Sequence, residues 1–212
     1  MRPNVEEEED EGGAVMRFPL LKSDLGRLHS VLKSQISYLS SLLLPIWIRR
    51  HGGRWGHESL RMDMTWIIER MALGGGIWTE DKMSEVARAG VTHIIDMQIE
   101  FDDTQLADPH GIRVLWNPVD DDFRPKPPEV FQRGVDFALE ALDDPGAKLF
   151  IHCAAGVHRA PMMTLAVMRA MGWELNHAQQ LLQARRPVVD LADVYVQSVE
   201  NFISGYETAA NP

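Results

Sequence analysis

Cys153 and Arg159 are the residues of this chain whose types and spacing could do chemistry together. They lie six positions apart in His152-Cys153-Ala154-Ala155-Gly156-Val157-His158-Arg159-Ala160-Pro161, and Cys153 is the only cysteine among 212 residues. The apolar run Leu149-Phe150-Ile151 reads as a buried strand before the thiol, and a helix is predicted after it. A thiol facing a helix N-terminus sits in a positive field that favours the thiolate. Gly156 permits backbone angles that turn loop N–H groups inward, and such a nest holds a tetrahedral oxyanion. An arginine fork binds two oxygens of the same anion. The chemistry this allows is attack of a thiolate on a bound phosphoryl group, with Ala154, Ala155, Gly156, Val157, His158 and Arg159 as the anion-holding loop. A buried structural cysteine is the competing account. The strand before, glycine within and helix after weigh against it.

Phosphoryl transfer to sulfur also needs an acid for the departing oxygen. Pro118-Val119-Asp120-Asp121-Asp122-Phe123-Arg124-Pro125 supplies three carboxyls on a proline-bounded loop. Any one of them alone would read as a solvated acidic residue. As a group after a strand, they are placed to close over the site.

The elements that must position these loops alternate. Short strands around Trp66-Ile67-Ile68 and Met71-Ala72-Leu73 adjoin a turn at Gly74-Gly75-Gly76. Thr79 is predicted to cap a helix that runs to about Ala89 and ends at Gly90. Strands follow at 91–96 and 112–116, separated by a polar loop over 102–111. A helix is predicted from about Glu129 to Leu142, a strand over 148–152 and a methionine-rich helix from about Arg159 to Met171. Two more helices are predicted, from Asn176 to about Arg185 and from Asp190 to about Gly205. This alternation predicts an α/β fold, a mainly parallel twisted sheet of four to five strands with helices on both faces. Sites in such sheets form at the carboxyl ends of strands. Both Cys153 and the aspartate loop lie at such ends.

The domain plan is a disordered acidic tail (1–17), a helical extension and linker (18–60) and a catalytic domain (61–207). The formal net charge is −10, and six of those negative charges lie in Glu6-Glu7-Glu8-Glu9-Asp10-Glu11. That run reads as a solvated tail. No basic face for nucleic acid is evident. One cysteine excludes an intramolecular disulfide and a multi-cysteine zinc site. No secretory signal pattern is visible, so a free thiol in a reducing cytoplasm is expected. Residues 28–50 are too interrupted by serines and Pro45 to read as a membrane span. They are expected to dock as a helix on the domain or a partner, and contact with a membrane surface is the less favoured account.

The stretch from His152 to Arg159 resembles the signature of the cysteine-dependent protein tyrosine phosphatases, in the dual-specificity branch. The resemblance covers roughly Trp66 to Phe202. It includes the order of the acid loop and the cysteine loop, and a late arginine–proline segment at Arg185-Arg186-Pro187. It implies Cys153 as nucleophile, Arg159 and the loop N–H groups as the phosphate clamp, and Asp121 as general acid, with Asp122 as runner-up. It implies a phosphocysteine intermediate on a phosphoprotein substrate, with no metal or other cofactor. One departure is Ala160, where most of the family carries serine or threonine. Loss of that hydroxyl predicts a slow second step and leaves open a phosphate-binding module as one alternative function; hydrolysis of a non-protein phosphomonoester is the other. The site is locally similar to the phosphatases of regenerating liver, which share the Ala-Pro ending and paired aspartates. Their second cysteine and C-terminal prenylation cysteine have no counterpart here. The loop carries no lysine of the kind that inositol-lipid relatives use for extra phosphates.

Overall fold

The computed structural model describes residues 61–210, with side chains described for 61–206. The tail at 1–17 and the extension at 18–60, including its proposed docked or membrane-surface helix, lie outside the described residues.

The chain runs through β1 (Met64–Ile68), β2 (Met71–Gly74), α1 (Glu80–Arg88), β3 (His93–Asp96), α2 (Thr104–Ala107) and β4 (Arg113–Trp116). It continues through α3 (Pro128–Asp143), β5 (Leu149–His152), α4 (Arg159–Ala170), α5 (Leu175–Arg185) and α6 (Asp193–Ala210). The sheet order is β1-β2-β5-β3-β4. β1 and β2 are antiparallel, and every other pairing is parallel. The fold is therefore the expected α/β sheet.

The central strands alternate faces as a period of two demands. Met71, Leu73, Ile95, Leu149 and Ile151 point into the larger core, shared with α3, α4, α5 and α6. Ala72, Ile94 and Phe150 point the other way, onto Met83 and Val86 of α1 and Ala107 of α2. Helices thus cover both faces. The α4 segment is buried from Arg159 to Met168, which explains its nearly all-round apolar sequence. Its methionines pack in the core.

Four local expectations need correction. The turn of the first hairpin is Glu69-Arg70, not the glycine run. Arg70 holds that turn by donating to the carbonyls of Leu142 (3.1 Å) and Asp144 (2.7 Å). The stretch at 102–111 contains the short helix α2 and a 3₁₀ turn (Asp108–His110). Asp102 nucleates α2 by accepting from the backbone N–H (3.0 Å) and hydroxyl (2.6 Å) of Thr104. The helix predicted from Asn176 starts at Leu175, because the Glu174 carboxylate accepts from the N–H groups of Asn176 and His177. The last helix begins at Asp193, since Asp190 N–H is spent on the carbonyl of Val157 (2.9 Å), and it extends to Ala210.

Candidate active site

The loop between β5 and α4 is shaped from outside. Four successive carbonyls are drawn away from its centre. Ala154 O accepts from Gly76 N–H (3.2 Å) and Val157 O from Asp190 N–H. Arg186 donates to Gly156 O (3.0 Å) and Ala155 O (3.3 Å). A peptide whose C=O points outward points its N–H inward. The N–H groups of Ala155, Gly156, Val157 and His158 therefore face the interior of the loop, where Gly156 N lies 3.3 Å from Cys153 Sγ. Arg186 is itself fixed by a two-pronged ion pair with Asp63 (2.7 and 2.6 Å).

Gly156 has φ of +63°, and a Cβ there would lie 2.5 Å from the Gly74 backbone. No other residue fits both the angle and the space. Cys153 is 2% exposed, at the carboxyl end of a strand flanked by β2 and β3.

Arg159 opens α4 and turns its guanidinium back under the loop. Nη1 and Nη2 donate to Glu100 Oε2 (2.9 Å) and Oε1 (2.8 Å). Longer bonds reach the carbonyls of Val119 (3.3 Å) and Met97 (3.4 Å). Nε is buried and has no hydrogen-bond partner among the described residues, so the Nε–Nη2 edge is left to meet two anion oxygens. Burial works against the charge of Arg159. The hydrogen bond and charge of Glu100, with the Cys153 sulfur, more than restore it.

The acid loop is anchored at both ends. Asn117 donates to Val130 O (2.9 Å) and accepts from Arg133 Nε (3.0 Å) and Nη2 (2.8 Å). Further along, Lys126 N–H donates to Ser198 Oγ (3.1 Å) of α6. Between the anchors Asp121 meets the cysteine loop, its Oδ2 lying 2.9 Å from His158 Nδ1. Its Oδ1 accepts from Tyr195 OH (3.0 Å). Burial pushes the Asp121 carboxyl up, but the hydrogen bond and charge of His158, with Arg159 and Tyr195, hold it below the ordinary carboxylate value. Asp122 faces outward and pairs with Lys126 and, more loosely, Arg124. Asp120 is exposed. Phe123 takes a φ of +56°, unusual for an aromatic residue, with its N–H on Tyr195 OH (3.0 Å).

The structure therefore brings Cys153, Arg159, Asp121 and the loop residues Ala154 to His158 together. The sequence reading missed Glu100, Tyr195 and Asp190. A signal for Glu100 existed, because it follows β3, a third strand ending at the same sheet edge. Nothing local marks Tyr195.

Behind the loop lies a second polar group. Asp96, Asp103 and His152 are fully buried, and their donor atoms lie within 4.8 Å of one another, close enough to share an ion. His152 Nε2 is 2.9 Å from Asp103 Oδ2 and 3.8 Å from Asp96 Oδ1. Burial pushes the Asp96 carboxyl up to about 7; the charge of His152 opposes this and that of Asp103 adds to it.

Residues 77–203 match the catalytic domain of dual specificity phosphatases. Dual specificity protein phosphatase 5 of Rattus norvegicus is 33% identical over 75 residues, covering 35% of this chain and 19% of that protein. Dual specificity protein phosphatase 26 of Rattus norvegicus is 32% identical over 108 residues, 50% of this chain and 49% of that protein. The chain thus spans less than half the length of either relative. The solved structure of PTPMT1 in complex with PI(5)P is similar in fold, with a TM-score of 0.62 at 18% identity over 70% of this chain and 99% of that one.

Proposed function

Because this chain belongs to the dual specificity phosphatase family, we propose that it hydrolyses phosphomonoesters on phosphoproteins through a phosphocysteine formed on Cys153. The observation that carries the reading is the set of four outward carbonyls, from Ala154 to Val157, which leaves the loop N–H groups directed at an anion above Sγ. The Cys153 thiolate attacks phosphorus. Arg159 and the N–H groups hold the equatorial oxygens, whose charge grows in the transition state. Asp121 protonates the departing oxygen and then takes a proton from the water that cleaves the phosphocysteine. Glu100 keeps the Arg159 fork in plane.

Phosphoprotein is favoured over a multiply phosphorylated ligand because the loop offers no lysine to a second phosphate. The exposed ring of Trp78, with the half-buried ring of Phe101 6.0 Å away, offers apolar surface instead. The lone thiol suits a reducing compartment, and we place the protein in the cytoplasm. No helix of the described residues is long and apolar enough to cross a membrane.

Steady-state hydrolysis of p-nitrophenyl phosphate, followed by a panel of phosphotyrosyl, phosphoseryl and inositol-lipid substrates, tests this. Cys153→Ser should abolish hydrolysis and keep tungstate binding. Retained hydrolysis refutes the nucleophile.

Ala160 favours a second reading, a phosphate-binding module with slow turnover. Among the described residues, Sγ receives one hydrogen bond, from Gly156 N–H. No hydroxyl at position 160 eases its departure as thiolate. A burst of one equivalent followed by negligible turnover would support the module.

A further inference from the structure

The His158 side chain links the cysteine loop to Asp121 of the acid loop. It is 5% exposed, and both of its ring nitrogens face carboxylates. Nδ1 lies 2.9 Å from Asp121 Oδ2, and Nε2 lies 3.5 Å from Asp190 Oδ2. A neutral imidazole would set one lone pair against a carboxylate. Two protonated nitrogens satisfy both. The other oxygen of Asp121 accepts from Tyr195 OH. Asp121 is thus surrounded by donors and held as a carboxylate. That is the wrong form for a group that must donate a proton.

The same network fixes the pair in space. The Phe123 ring meets the His158 ring edge-on at 5.0 Å and stacks on Tyr195 at 5.7 Å. The charged and titratable groups around the imidazole are Asp121 of the acid loop, Asp190 before α6, Tyr195 of α6 and the adjoining Arg159. Lys126 is spent on Asp122.

Building on Asp121 as the general acid, we propose that His158 stores the proton that Asp121 delivers, so that the two act as one proton-carrying pair positioned by Tyr195 and Asp190. In the first step the S–P bond forms and the P–O bond breaks. The leaving oxygen takes the proton of the Asp121 carboxyl, which Asp121 has drawn from His158 Nδ1 across their hydrogen bond. The arriving phosphate and the thiolate add negative charge beside Asp121 and so favour that transfer. The pair is then a carboxylate and a neutral imidazole. In the second step water bonds to phosphorus, the P–S electrons return to sulfur, and the proton shed by the water restores the pair. His158 acts through Asp121 and is a positioning residue. Burial opposes its charge, but the hydrogen bond and charge of Asp121, with those of Asp190, hold its pKa above the ordinary 6.5.

The test is the pH dependence of kcat/KM for the full chain on phenyl phosphate, a substrate that needs its acid, with tungstate binding as the check of an intact loop. The alkaline limb of the parent should fall above pH 6.5. In His158→Asn it should move down by one pH unit or more, so that the loss of activity relative to the parent is several times greater at pH 7.5 than at pH 5. Asp190→Asn, at a residue 48% exposed in its side chain, should move the limb down by a smaller step. That variant gives the reading should His158→Asn not fold. An alkaline limb unmoved in the variants, while Asp121→Asn still loses most activity, overturns the proton store and leaves Asp121 as the acid. An Asp121→Asn variant as active as the parent overturns the assignment on which the store rests.

Discussion

Replacing Asp96 by asparagine should stabilise the protein at alkaline pH and do less for it in acid. Asp96 ends β3 fully buried, one strand from the cysteine loop. Burial raises its carboxyl from the ordinary 3.8 to about 7. A carboxyl whose folded value lies above its unfolded value keeps its proton in the folded state after the unfolded chain has released it. Stability is then lost as pH rises from about 4 to about 7, and the loss is complete above that range. A rise of about 3 in pKa corresponds to about 4 kcal/mol. At pH 5 roughly a third of the loss has accrued, and at pH 8 all of it. Asparagine has no titrating proton, and it keeps an oxygen to accept the Gln98 N–H that Asp96 Oδ1 now accepts at 2.8 Å. The stability difference between variant and parent should therefore grow by about 2 to 3 kcal/mol between pH 5 and pH 8. Urea unfolding followed by tryptophan fluorescence at the two pH values measures it. A difference equal at both pH values would refute the reasoning, because Asp96 would then ionise as readily in the folded protein as in the unfolded chain.

Ala160→Ser should speed dephosphorylation, raising the steady-state rate and shrinking the p-nitrophenol burst; an unchanged burst and rate would remove Ala160 as the brake. Asp121→Ala should cost on the order of 10²–10⁴ in rate, whereas Asp122→Ala, whose partner is the buried Lys126 and not the cysteine loop, should cost less. A larger loss at Asp122 transfers the acid role there. Arg186→Met leaves the Ala155 and Gly156 carbonyls without their charged donor and Asp63 without its partner. It should destabilise by about 1–3 kcal/mol and weaken tungstate binding, and tungstate affinity equal to the parent's would show that the loop holds its shape without Arg186.

The parts of this site that could be read from the sequence are those whose role is set by their own stretch of backbone. A strand of apolar residues, a loop glycine and an apolar helix place Cys153, Gly156 and Arg159 within eleven residues, and local periodicity reports all three. The missed parts are defined by partners far along the chain. Glu100 lies 59 residues from Arg159, Tyr195 lies 74 from Asp121, and Asp63 lies 123 from Arg186. The short helix α2 escaped for a related reason. Its start depends on the Asp102 side chain rather than on an apolar stripe, and a four-residue helix has too few turns to show one. The true hairpin turn was hidden because Arg70, which ties it to the end of α3, carries no turn signature, whereas the glycines beside it do.

His158 stands between these two groups. Its place in the loop was legible, but its charge was not. Alone in that loop, a histidine next to Arg159 would be expected to release its proton to solvent, because the guanidinium charge repels a second cation. Asp121 and Asp190, 37 and 32 positions away, reverse that balance. The acid and the histidine therefore have to be assigned together. A substitution at either will change the proton affinity of the other, so the pH profiles of single variants will not add. A double variant, His158→Asn with Asp121→Asn, should show an alkaline limb no different from that of Asp121→Asn alone. A further shift in the double variant would mean that the imidazole passes its proton by a path that avoids Asp121.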